Sequence, residues 1–346
     1  MWNIVGQKDS IELIEKALES RNLSHAYLLA GPPHTGKTTL AFEFSMALNC
    51  QSAHPPCRAC NSCQRIYRSL HTDIFYIAAD TSLDKNGNTA KNRIEISIDD
   101  IRKLQQFASL PPYEGQYKIF IINGADQLSN EAANSLLKTL EEPAPKVILI
   151  LIASDETKVL PTVISRCQRI LLRPLSLLEI EEYLVAQFKT DVKQAKLLSR
   201  LSGGHLGFAI DALKDDNILS ERNRIISEMT TLLKSNFDLR FSYVAKLYAH
   251  HRNMDLRTNT EFLINIWISW WQDLVLTKSN CIENITNLDF TADLNNYANK
   301  LSLDEIREFI HSLQNSLLLI LKNANIRLVL EVLMLDMPLK FEVNAF

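Results

Sequence analysis

The run Ala26-Tyr27-Leu28-Leu29-Ala30 leads directly into Gly31-Pro32-Pro33-His34-Thr35-Gly36-Lys37-Thr38. A short apolar strand, a G-x-x-x-x-G-K-[ST] loop and a following helix make one physical unit. The loop turns successive backbone N–H groups inward and the helix adds the positive end of its dipole, so the unit can hold a phosphate chain. The helix is expected over Lys37 to Leu48. A strand this apolar needs cover on both faces, which commits the first half of the chain to a layered α/β fold with a parallel sheet. Lys37 is expected to reach the β- and γ-phosphates, and the Thr38 hydroxyl to coordinate Mg²⁺. Gly31, Thr35, Gly36 and Thr39 complete the candidate site for ATP or ADP. His34 stands at a variable position and leaves the motif intact.

Further strands are expected at Ile74-Phe75-Tyr76-Ile77, Lys118-Ile119-Phe120-Ile121-Ile122 and Val147-Ile148-Leu149-Ile150-Leu151-Ile152. The strand signal fades after Arg173-Pro174-Leu175-Ser176, where Ser176 and Glu179 have the spacing of a capping box. Gly203-Gly204 breaks the pattern again, and from about residue 213 the chain reads as helix. Helical patterns run from Phe262 to Val275, and from Leu303 to Met337 with a break near Asn323. Trp267, Trp270 and Trp271 share one helical face, which suits core packing better than base stacking. Residues 80–93 read as a polar loop. These shifts divide the chain into an α/β domain at 1–173, a small helical domain at 174–212 and a helical domain at 213–346.

With 46% hydrophobic residues the chain has ample material for such cores. A net charge of −3 gives no bulk reason for nucleic-acid binding, so any such contact must come from a local patch. No apolar run has the length of a membrane span, and the start lacks the basic and apolar regions of a signal peptide. The cysteines are clustered rather than scattered as in a secreted framework, so a cytoplasmic protein without membrane contact is expected.

Hydrolysis in phosphate-loop proteins requires a carboxylate at the end of a nearby strand to hold Mg²⁺ and orient water. The strand from Lys118 delivers Asn123-Gly124 there, a neutral amide and no side chain. Asp126 lies two residues on, a shift that keeps its side chain on the same side of an extended strand. The reading then turns on whether Gly124 ends that strand.

Cys50, Cys57, Cys60 and Cys63 follow the pattern C-x₆-C-x₂-C-x₂-C. Four thiolates make a closed tetrahedral Zn²⁺ site with no open position, so the expected role is structural. Cys167 and Cys281 stand apart and read as ordinary buried residues.

With these features stand Ala133-Asn134-Ser135-Leu136-Leu137-Lys138-Thr139-Leu140-Glu141-Glu142-Pro143, Leu160-Pro161-Thr162-Val163-Ile164-Ser165-Arg166-Cys167 and Asn323-Ala324-Asn325-Ile326-Arg327-Leu328. Together they resemble the bacterial clamp-loader AAA+ subunits of DNA polymerase III over nearly the whole chain. The resemblance implies an AAA+ domain with a zinc-module insertion, a helical lid and an all-α collar for oligomerisation. The ATP-hydrolysing tau/gamma motor would show Asp-Glu where this chain has Asn123-Gly124, and an arginine where it has Gly207. Both departures match the delta-prime branch. That branch implies a non-hydrolysing member of a five-membered ring with tau/gamma and delta subunits, which places a sliding clamp on primed DNA. Arg166 would then act as an arginine finger in a neighbouring motor's site, and Glu141 and Glu142 would belong to the same interface. In clamp loaders helix starts such as Ser97-Ile98-Asp99-Asp100 face DNA, but here the acids favour a structural cap. The alternatives are an active motor of the same machine, an independent AAA+ enzyme and a zinc-stabilised scaffold.

Overall fold

The structure is a computed structural model and describes residues 2–79, 95–250 and 255–338. The polar loop expected at 80–93 lies outside the described residues. Two compact units divide the chain, Met1–Tyr183 with Gly204–Gly207, and Leu184–Gly203 with Phe208–Phe346.

The first unit runs α1 (Lys8–Glu19), β1 (Ala26–Ala30), α2 (Lys37–Leu48), α3 (Asn61–Tyr67), β2 (Ile74–Ala78), α4 (Ile98–Ala108) and β3 (Lys118–Asn123). It continues through α5 (Asn130–Glu141), β4 (Val147–Ala153), α6 (Pro161–Ile164), β5 (Gln168–Leu171) and α7 (Leu177–Phe188), within which the boundary falls. The five strands form one parallel sheet in the order β2-β3-β4-β1-β5. Successive side chains of a strand point to opposite faces, so each central strand feeds two cores. Leu28, Phe120, Ile122, Leu149 and Leu151 pack with Ile101 and Leu104 of α4 and Leu136 of α5. Tyr27, Leu29, Ile119, Ile121 and Ile150 pack with Ile14 of α1 and Leu40 and Phe44 of α2. This two-sided burial explains why β1, β3 and β4 read as unbroken apolar runs.

The second unit is helical in its described residues: α8 (Val192–Ser202), α9 (Leu206–Lys214), α10 (Asp216–Leu233), α11 (Phe237–His250), α12 (Asp255–Lys278), α13 (Thr291–Lys300), α14 (Leu303–Leu321) and α15 (Ile326–Asp336). The helix expected over 262–275 is the middle of the longer α12, and the break near Asn323 separates α14 from α15. Trp267, Trp270 and Trp271 are fully buried, with the Trp271 ring tilted 4.6 Å from Phe309 and the Trp270 ring edge-on 5.4 Å from Tyr297. Their three indole N–H groups find no acceptor, so these rings serve as apolar bulk.

A buried cation fastens the last helix. Arg240 is 0% exposed and donates to the carbonyls of Leu232, Met334, Met337 and Pro338 over 2.8–3.1 Å. It caps the C-terminal ends of α10 and α15, where the helix dipoles favour positive charge. An Arg240→Met variant leaves these buried acceptors without their donors. It should lose about 3 kcal/mol or more, read as a lower urea midpoint.

Candidate nucleotide and metal sites

The phosphate loop joins β1 to α2 at one end of the sheet. Gly31 lies so close to the end of β5 that a Cβ there would sit 2.2 Å from the Leu172 carbonyl oxygen. Lys37 is buried, and its Nζ donates to the carbonyls of Gly31 at 2.7 Å and Pro32 at 2.5 Å. Burial pushes its pKa down, against the attraction of Asp126. Thr35 Oγ1 donates to Pro32 O at 2.8 Å, Gly36 is the N-cap of α2, and Thr38 and Thr39 follow in its first turn. All six nucleotide-site candidates therefore lie in the loop and the first turn behind it.

The strand that would carry the acid ends at Asn123. Gly124 takes φ 98°, a conformation that L side chains rarely adopt, and Asp126 lies in the single 3₁₀ turn that follows. The extended register that would keep Asp126 in line is therefore broken. Asn123 Nδ2 donates to the Tyr76 hydroxyl at 2.6 Å. Asp126 Oδ2 accepts the N–H groups of Ser154 at 3.2 Å and Asp155 at 3.1 Å, tying it to the end of β4.

The four clustered cysteines meet in space. Their Sγ atoms lie within 4.8 Å of one another between α2 and the start of α3. Backbone N–H groups point at the sulfurs: Cys57 N at Cys50, Cys60 N at Cys57 and Cys63 N at Cys60, over 3.3–3.5 Å. Such donors stabilise thiolates, the form a metal requires. The N–H groups of Cys60 and Ala59 hold the Cys57 thiol down at about 6, whereas burial pushes that of Cys63 up. An all-sulfur donor set with this spacing fits Zn²⁺ in a structural role. Arg58 of this module donates to the buried Glu43 of α2 at 2.7 Å, joining the cysteine loop to the helix behind the phosphate loop. Cys167 and Cys281 are only half-buried as residues, and burial of the Cys167 thiol pushes it to about 12.

Arg166 lies in the turn between α6 and β5. It donates to Thr162 O at 2.9 Å and to Glu141 at the end of α5 at 2.6 Å, and is 36% exposed. Ser97 and Asp100 form the expected capping box on α4, so the acids there belong to the cap.

One feature had no place in the motifs, and the contacts of another were not legible in them. A cavity of about 470 Å³ is lined by Gly6, Gln7, Leu13, Arg169, Arg173 and Leu175, among others. Gln7 holds its wall by donating to Arg173 O at 2.6 Å and accepting from Arg173 N at 3.1 Å. Gly6 just before α1 was the available signal. The second is Gly204–Gly207, which reaches this wall and the loop alike: Leu175 N donates to Gly204 O, and Gly207 N donates to His34 O at 3.0 Å.

A strand–loop–helix unit in a parallel sheet of this order defines a P-loop domain of AAA+ type. Residues 6–176 match the family described as "DNA polymerase III, delta subunit". The chain is 31% identical to the DNA polymerase III subunit delta' of Bacillus subtilis, over 62% of each chain. It is 37% identical to the tau subunit of the same organism, over 48% of this chain and 28% of tau. The chain thus spans about three fifths of the one relative and little over a quarter of the other. A crystal structure of a DNA polymerase III gamma subunit-related protein from Thermotoga maritima is 17% identical over 93% of this chain and 97% of that one, with a TM-score of 0.43. Among the described residues no helix is long and apolar enough to cross a membrane.

Proposed function

We propose that this chain is a delta'-type subunit of the DNA polymerase III clamp loader that binds ATP or ADP without hydrolysing it. The observation that carries the reading is the state of the acid position. Asn123 is neutral and engaged with Tyr76, while Asp126 sits beyond a broken strand and is held by backbone N–H groups. Phosphoryl transfer lacks the group that holds Mg²⁺ and orients water, whereas the loop keeps its backbone cradle and Lys37. The Gln7–Arg173 cavity then takes the nucleoside.

The partners in this reading are tau/gamma and delta subunits in a five-membered ring, the sliding clamp and primed DNA. Leu318, Leu319, Leu321, Leu328, Val332 and Leu335 of α14 and α15 are exposed, which supports collar packing against neighbours. Arg166, 36% exposed and paired with Glu141, serves as the finger for the adjacent motor.

A second reading, the ATP-hydrolysing motor, draws support from the complete loop and from the higher identity with tau over the shorter match. One experiment separates them. The purified chain should bind ADP, lose binding on Lys37→Ala, and show no ATP turnover above background with Mg²⁺. Turnover that is abolished by Lys37→Ala and by Asp126→Asn would establish the motor reading instead.

A further inference from the structure

His205 belongs to a segment that touches the phosphate loop. Its own segment, Gly204–Gly207, donates the Gly207 N–H to His34 O at 3.0 Å, and His34 is held there at φ 60°. A non-glycine residue in the left-handed region needs such outside support. The His205 ring faces the Pro33 carbonyl of the loop, yet its Nδ1 is buried and has no hydrogen-bond partner. A buried ring nitrogen left unpaired costs about 1–3 kcal/mol, a cost that a hydrogen-bonding ligand or water at this position would remove.

We propose that His205 is a proton-linked phosphate ligand: when a nucleotide binds the loop, the ring takes up a proton from solvent and donates to the phosphate chain. The inference rests on the reading of the loop as a nucleotide site and adds to it the residue that makes affinity depend on pH. The groups acting on His205 are His34 and Lys37, both opposing its protonation, with Asp126 acting in turn on Lys37. Burial first, then the neighbouring His34 and Lys37, hold its pKa below the ordinary histidine value, so the free protein keeps the ring neutral at neutral pH. A bound polyphosphate reverses the local field and raises that pKa. Between the free and bound pKa values the complex holds a proton that the free protein lacks. Affinity therefore strengthens as pH falls through that window, by up to about tenfold per pH unit, and is flat above it.

The test titrates the full chain with a fluorescent methylanthraniloyl-ADP in Mg²⁺ between pH 6 and pH 8, for wild type and His205→Gln. The probe's own ionisation is common to both proteins and cancels in the ratio. Wild type is expected to gain about tenfold more affinity than the variant on acidification. Calorimetry of wild type in two buffers of different ionisation enthalpy should register net proton uptake at pH 7, which keeps the idea testable if the variant binds nothing. Equal slopes or absent uptake would overturn the role of His205 and leave the nucleotide reading standing. No binding by wild type at any pH would overturn the nucleotide reading and this inference with it.

Discussion

If the proposed delta'-type role holds, Arg166→Ala is expected to silence the adjoining motor site in a ring rebuilt with tau/gamma and delta subunits. An arginine finger supplied in trans stabilises the charge spread over the transferring phosphoryl oxygens and is worth about 10³-fold or more in rate. That loss falls on one site, so the clamp- and DNA-stimulated ATPase of the ring drops to what the remaining sites sustain. Stability should not change. The pair with Glu141 is 36% and 50% exposed, and such exposed pairs contribute about 0–1 kcal/mol. A lower ATPase with an unchanged melting curve is thus the signature of a finger. Arg166→Lys should fail to restore the rate, because a point charge does not reproduce a planar fork of donors. An unaltered rate in a fully assembled Arg166→Ala ring would refute the role, and the residue would reduce to a partner of Glu141.

The second large effect concerns the cysteines. Protein purified without chelator should carry about one zinc per chain, and Cys57→Ser should abolish it. Cys57 is the better probe because Cys63 also packs with Met46 and Ile66, so its replacement would perturb a core as well. Structural zinc contributes about 10–16 kcal/mol of apparent binding energy in small domains. Here the loss is confined to the segment between α2 and α3, since the sheet has its own two cores. The variant should therefore keep its circular dichroism but melt at a lower temperature. The wild type should show the same shift on prolonged chelation. Metal-free wild type with cysteines oxidised in pairs would exclude the zinc reading.

The parts of the fold that were legible in the sequence are those where burial left a one-dimensional trace. β1 and α2 begin and end where the sequence put them, because a fully covered strand tolerates no polar residue and the loop fixes the helix start. β5 was missed: Gln168–Leu171 lies at the sheet edge, two of its four residues are exposed, and no apolar run marks it. The cysteines declared their cluster through spacing. The sequence could pose the question of Asp126 but not answer it, since the answer depends on the φ of Gly124 and on two N–H groups of a distant strand end. His205 filled no motif position, although Gly207 two residues on stands where the motor has its arginine. Its interest comes from an unpaired ring nitrogen, a property of packing that no spacing encodes.

The tight seat of Gly31 against the Leu172 carbonyl has a bearing on how this loop should be interrogated. Position 31 is a keystone between two strands as well as part of a ligand cradle, and any side chain there would pry β5 from the loop. Selection would hold the glycine for the sake of the sheet even in a lineage that had abandoned nucleotides. Its presence is accordingly a record of architecture, and the lysine is the residue whose fate reports on ligand use. An alanine at 31 would measure folding, whereas an alanine at 37 removes the side chain that would reach a phosphate together with its two bonds to the loop.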